Sequence, residues 1–108
     1  MSKGFLTFSS AFILQAVANE YRYGFDIIDI TGLPGGTVYP ALRRLEEAGY
    51  LRSKWEKLTN RPQGARPPRR LYEITRAGQA ALDEAVKRYR LLEQNNLSPE
   101  REPKASKA

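Results

Sequence analysis

Apolar residues recur at helical spacing in four runs, and one stretch between the third and fourth alternates instead. In the first run Ile13, Leu14, Ala16 and Val17 mark a helix ending at about Asn19, with Ser9 or Ser10 as its N-cap. A break over Tyr21–Gly24 precedes Phe25, Ile27, Ile28 and Ile30. This run suits a short helix reaching Ile30 or Thr31, because Asp26 and Asp29 share one exposed face, although its isoleucine content also suits a buried strand. Gly32-Leu33-Pro34 reads as a turn with Leu33 as an apolar plug between helices. Val38, Leu42 and Leu45, at i, i+4 and i+7, then predict a helix over about 36–48 whose other face carries Thr37, Tyr39, Arg43, Arg44 and Glu47. Pro40 lacks an N–H and is tolerated only near a helix start, so this helix should begin at about Gly36 or Thr37, and Gly49 should end it. Thr37 and Tyr39 then lie at its positive end, suited to a phosphate oxygen.

The alternation starts at Leu51-Arg52-Ser53-Lys54-Trp55-Glu56 and predicts strands at about 51–57 and 69–74. Between them, 58–68 contains three prolines and a glycine and reads as an irregular loop. Thr75 can cap a last helix, about 75–94, with Leu82, Ala85, Val86, Tyr89 and Leu92 as its apolar stripe. That stripe is long for a small chain and suggests a dimer interface formed by two copies; packing on the chain's own first helix is the alternative. The expected fold is mainly α with a small β-hairpin (α+β), in the outline of a winged helix-turn-helix with a C-terminal dimerisation helix. Residues 1–94 form one domain, and 95–108, polar and mixed in charge, form a disordered tail.

Charge changes the picture once it is located. Of the net +6, nearly all falls in residues 51–78, which carry eight lysines and arginines against two carboxylates, whereas residues 1–50 are slightly acidic. Clustered cations in a loop broken by proline and glycine point to a polyanion, double-stranded DNA first. The candidate contacts are Gly36, Thr37, Tyr39, Pro40, Arg43 and Arg44 on the helix and Lys57, Arg61, Arg66, Arg69 and Arg70 on the hairpin. Arg43 and Arg44 can reach a phosphate or a guanine edge, or pair with Glu46 or Glu47 on their own helix. Tyr39 can donate to a phosphate or pack half-buried, and Trp55 reads as structural between wing and helices. With no cysteine and no histidine, the chain offers neither thiol chemistry nor the commonest metal ligand, so no metal, no cofactor and no enzyme are expected. No apolar run is long enough for a signal peptide or a membrane span, which predicts a soluble cytoplasmic protein. A winged module serving protein or RNA contacts without duplex readout is the alternative function.

Several stretches resemble the PadR family of bacterial transcriptional regulators. Tyr23-Gly24-Phe25-Asp26-Ile27 is similar to the family's Y-G-Y-E-I, and Gly36-Thr37-Val38-Tyr39-Pro40-Ala41-Leu42-Arg43-Arg44-Leu45-Glu46 to its G-T-L-Y-P-A-L-R-R-L-E. Arg52–Glu56 resembles the first wing strand and Tyr72–Gly78 the second strand and the entry to the last helix. The resemblance spans about 10–93 and implies a dimeric winged-helix repressor on a pseudo-palindromic operator. It also implies the helix in the major groove, the wing on the backbone or minor groove, dimer contacts from the terminal helix, and in some members an unknown small-molecule effector. Two departures stand out. The family's wing often reads G-R-P-R-K-Y-Y, whereas Ala65–Tyr72 has an extra proline and lacks the glycine, and the connection Asp29–Gly35 is short.

Overall fold

A helix apolar on nearly every side has to be buried on nearly every side, and the first helix sits accordingly at the centre. The structure, a computed structural model, describes residues 6–57 and 68–95. Helix α1 (Phe8–Ala18) buries Ser10, Ala11, Ile13, Leu14, Gln15, Ala16 and Val17. Its cap is Thr7 rather than Ser9 or Ser10: the Thr7 hydroxyl accepts from the Ser10 amide at 3.2 Å, and Ser10 itself is buried. Around α1 pack α2 (Gly24–Thr31), α3 (Gly35–Glu47), the hairpin β1 (Leu51–Trp55) and β2 (Arg70–Ile74), then α4 (Arg76–Arg88) and α5 (Arg90–Asn95).

Residues 25–30 are helical, and Leu33 packs partly buried against the core as the turn's apolar plug. Gly32 closes α2 in the left-handed region at φ 75°, and Thr31 reinforces the turn by accepting from the Leu33 amide at 3.2 Å. Gly49 (φ 86°) ends α3, and the following Tyr50 amide folds back to the Leu45 carbonyl at 2.9 Å. In α3 the spacing holds, with Val38, Ala41, Leu42 and Leu45 all buried. Burying such a leucine is worth roughly 1.5–3 kcal/mol, so this face fixes the helix and leaves its opposite face to solvent.

The hairpin starts and ends where expected but is shorter on its loop side, by two residues in β1 and one in β2, and pairs antiparallel, Leu51 with Ile74, Ser53 with Tyr72 and Trp55 with Arg70. Alternation puts Leu51 and Tyr72 in the core and Arg52, Lys54 and Glu73 on the other face. The Tyr72 amide also donates to the Arg22 carbonyl at 2.9 Å, so the link between α1 and α2 lies along β2 as a third, bridge-length strand.

The expected single terminal helix is instead two. Tyr89 is extended (φ −110°, ψ 103°) although nothing in Arg88–Glu93 breaks a helix locally. Tertiary contacts impose the bend: the Tyr89 hydroxyl donates to the Leu6 carbonyl at 2.7 Å, the Phe8 ring meets its edge at 5.4 Å, and Leu92 drops into a cluster with Ala11 and Ala85. Gln15, the buried polar residue of α1, donates to the Leu92 carbonyl at 2.9 Å. Leu82, Ala85 and Leu92, assigned from the sequence to a dimer interface, are therefore buried within the single chain, the packing on its own first helix that was the alternative reading of the stripe. Val86 and Tyr89 stay partly exposed. Asn95, expected in the tail, closes α5; the rest of that expected disordered segment lies outside the described residues.

Candidate nucleic-acid interface

Once Val38, Ala41, Leu42 and Leu45 face the core, helical geometry turns Gly36, Tyr39, Pro40, Arg43 and Arg44 outward, and all five are exposed; Thr37 lies half-buried beside them. Pro40 sits deeper than expected, at the sixth residue of α3, because the helix starts at Gly35 on a Pro34 cap. The hydrogen bond it forgoes is to the carbonyl of exposed Gly36, where water can substitute. Thr37 and Val38 already donate to the Pro34 carbonyl at 2.9 and 3.0 Å, so the free N–H groups at the positive end belong to Gly35 and Gly36 rather than to Thr37.

Arg43 and Arg44 do not pair with Glu46 or Glu47; among the described residues neither guanidinium meets a carboxylate. Glu46 turns to the wing instead. It accepts from the Ser53 hydroxyl at 2.7 Å and has Arg70 at 3.9 Å, while Arg70 donates to Ser53 at 3.1 Å. This three-residue link holds the wing against α3. Tyr39 is half-exposed, and its ring end lies close against Gly24: a Cβ there would run into it, with the Tyr39 Cζ and Oη both at 2.8 Å. The absence of a side chain at Gly24 is what lets the first turns of α2 and α3 approach.

On the wing, Arg52 and Lys54 both bind Glu73, at 3.3 and 3.4 Å, and these donors hold its carboxyl below the ordinary value of 4.5. Burial pushes the Tyr72 phenol above its ordinary value, against the opposing pull of Arg70. Lys57, two residues past the end of β1, is exposed. Arg61 and Arg66 lie outside the described residues. Arg69 stacks over the rings of Phe25 and Tyr23, 4.7 and 5.7 Å from their centroids, and Arg70 over Trp55 at 5.1 Å. Trp55 is thus not the wedge between wing and helices that its sequence suggested; it is 60% exposed and walls an open cleft with Arg70. The rings that hold Arg69 escaped sequence reasoning because Phe25 and Tyr23 are remote in the chain. The Arg70–Trp55 contact had a signal, since the two face each other in the hairpin register.

Residues 13–84 match the transcriptional regulator PadR-like family. No curated protein matches the chain. Among solved structures, a PadR-like transcription factor from Bacteroides fragilis is 27% identical, with a TM-score of 0.64 over 81% of this chain and 84% of that one. A Streptococcus mutans protein is 24% identical, with a TM-score of 0.62 over 87% and 88%. Bordetella bronchiseptica BpsR, described for regulation of its DNA binding by 6-hydroxynicotinic acid, superposes with a TM-score of 0.66 at 20% identity, over 92% of this chain and 73% of that one. With the core-facing stripe of α3, its outward arginines and the hairpin locked beside it, these likenesses place the chain in the PadR-like family, as a DNA-binding transcriptional regulator of winged-helix fold and not an enzyme.

Proposed function

We propose that the chain represses transcription as a homodimer bound to a pseudo-palindromic operator, with α3 in the major groove and the wing on the backbone or minor groove. The observation that carries this reading is the outward face of α3: Arg43 and Arg44 are exposed and without a carboxylate partner among the described residues, beside a hairpin that concentrates the positive charge. Arg43 and Arg44 lie beyond the helix's first turn and serve phosphates or base edges, Tyr39 and the glycine amides at the helix start serve phosphates, and Lys57, Arg61, Arg66, Arg69 and Arg70 supply wing charge. Two-fold symmetry would set the recognition helices about 34 Å apart. With Leu82, Ala85 and Leu92 occupied internally, the dimer contact falls on what α4 and α5 leave outside: the exposed parts of Val86 and Tyr89, and Leu91, 60% exposed. Such a protein works in the cytoplasm. As the Bordetella neighbour's DNA binding is regulated by a small molecule, an effector for this chain belongs to the same reading.

Selection of binding sites from random duplex DNA tests it. A recovered inverted repeat is expected. Lys57→Ala should then lower affinity evenly across sequences and reduce the salt slope by about one, whereas Arg43→Ala should change the sequence preference if it reaches a base. Recovery of no preferred duplex, or equal binding to single strands and RNA, would overturn the reading.

A further inference from the structure

Beside α3 lies a cleft of about 430 Å³, bounded by the start of α2, the start of α3 and the wing. That volume is within the roughly 300–1,000 Å³ of small-ligand sites. Its walls are unusual for this surface. Phe25 and Tyr39 are 50% exposed and Trp55 60%, so three of the chain's large exposed apolar side chains surround one opening. Rings left half in water gain from any flat partner that covers them. Two guanidiniums share the same walls, Arg69 over Phe25 and Arg70 over Trp55. Stacking engages the face of a guanidinium and leaves the N–H donors around its edge available to an anion. Arg70 spends part of that capacity on Ser53 and Glu46; Arg69 holds the Glu56 carboxylate through its backbone amide at 3.1 Å, which leaves its guanidinium edge to a ligand.

A simple anion would satisfy the guanidiniums and leave the rings wet. A purely apolar molecule would cover the rings and strip water from two cations. We infer that the cleft seats one nucleotide unit, its phosphate on Arg69 with Arg70 beside it and its base or sugar against Phe25, Tyr39 and Trp55. That chemistry is offered both by a free mononucleotide and by one nucleotide of a DNA strand passing between α3 and the wing. The inference stands on the chemistry of the cleft and does not require the operator reading above.

Trp55 is the chain's one tryptophan and lines this cleft, so its fluorescence responds to a ligand seated there. The full chain is titrated separately with dAMP, deoxyadenosine and inorganic phosphate, with calorimetry on Trp55→Phe as a second readout. Saturable binding of dAMP is expected, at least about ten-fold tighter than of either fragment, because only the nucleotide engages both rings and guanidinium. Phe25→Ala and Arg69→Ala should each weaken it about ten-fold or more with unchanged circular dichroism, while Lys87→Ala on α4 leaves it intact. Displacement of dAMP by duplex DNA assigns the seat to a strand nucleotide; simultaneous binding of both assigns it to a free nucleotide. Either supports the inference. Failure of dAMP to saturate by both readouts, equal binding of dAMP and deoxyadenosine, or wild-type affinity in both variants overturns it. Saturable dAMP binding without any duplex binding would sink the operator reading and leave the nucleotide seat standing.

Discussion

The same glycine-to-alanine change at two helix starts should have different consequences, one for stability and the other for DNA binding. Alanine normally stabilises a helical position over glycine by about 0.5–1 kcal/mol. At Gly78, in the first turn of α4, the added Cβ would collide with the Tyr50 carbonyl oxygen and lie 2.8 Å from the Ile74 Cγ1. That carbonyl cannot step aside, because it accepts from the Thr75 amide at 3.0 Å, and Thr75 is itself tied to the Gly49 carbonyl at 2.7 Å and to the Gly78 amide at 3.0 Å. Overpacking against fixed backbone costs typically 1–3 kcal/mol or more, beyond what helix propensity returns. Net of helix propensity the cost is about 1 kcal/mol, and with roughly 4–8 °C of Tm per kcal/mol for a domain of this size, Gly78→Ala should melt about 4–8 °C lower. At Gly24 the obstacle is the far end of the Tyr39 side chain, which can swing away, so stability should stay within about 1 kcal/mol of wild type. The displaced Tyr39 would instead lose the DNA contact proposed for it, worth about 0.5–1.5 kcal/mol, or some two- to twelve-fold in affinity. Thermal unfolding by circular dichroism and anisotropy with a selected duplex separate the two effects. A Gly78→Ala protein as stable as wild type, or a Gly24→Ala protein that loses more stability than Gly78→Ala, would refute the packing argument.

Leu92→Ala should cost about 2–5 kcal/mol in denaturant unfolding despite its place near the end of the described chain, because its side chain is fully buried against Ala11 and Ala85; wild-type stability would mean that α5 is not docked on α1. Glu73 has its pKa lowered by Arg52 and Lys54, so its contribution is present above the ordinary carboxylate value of 4.5 and is lost as pH falls through the folded value. Glu73→Gln should therefore show a shallower loss of stability on acidification from pH 6 to pH 3, and an unchanged acid profile would remove the Arg52–Glu73–Lys54 cluster from the wing's stability.

The helices were legible because their buried faces follow helical spacing: Val38, Leu42 and Leu45 alone oriented α3 and so exposed Arg43 and Arg44. The hairpin was legible from its alternation, with its ends misplaced by a residue or two. What stayed hidden was decided by contacts distant in sequence. Thr7, Ser9 and Ser10 are equivalent as caps until burial of Ser10 distinguishes them. The bend at Tyr89 has no local cause, since Leu6, Phe8 and the pocket for Leu92 produce it. Glu46, the alternative partner that the sequence offered to the arginines of its own helix, answers Ser53 and Arg70 across the wing. The positive charge of the hairpin was plain from composition, but that Arg69 and Arg70 lie on aromatic rings depends on the fold bringing Phe25 and Trp55 around one cleft.

Affinity for a selected duplex across a salt series, for wild type and for Arg43→Ala/Arg44→Ala, tests the DNA interface most directly. Log affinity should fall steeply and linearly with log salt for wild type, by about 0.9 per neutralised phosphate, and the double variant should bind more weakly with a slope shallower by up to two such contacts. A flat salt dependence, or a double variant indistinguishable from wild type, would contradict the assignment of α3 and the wing to DNA.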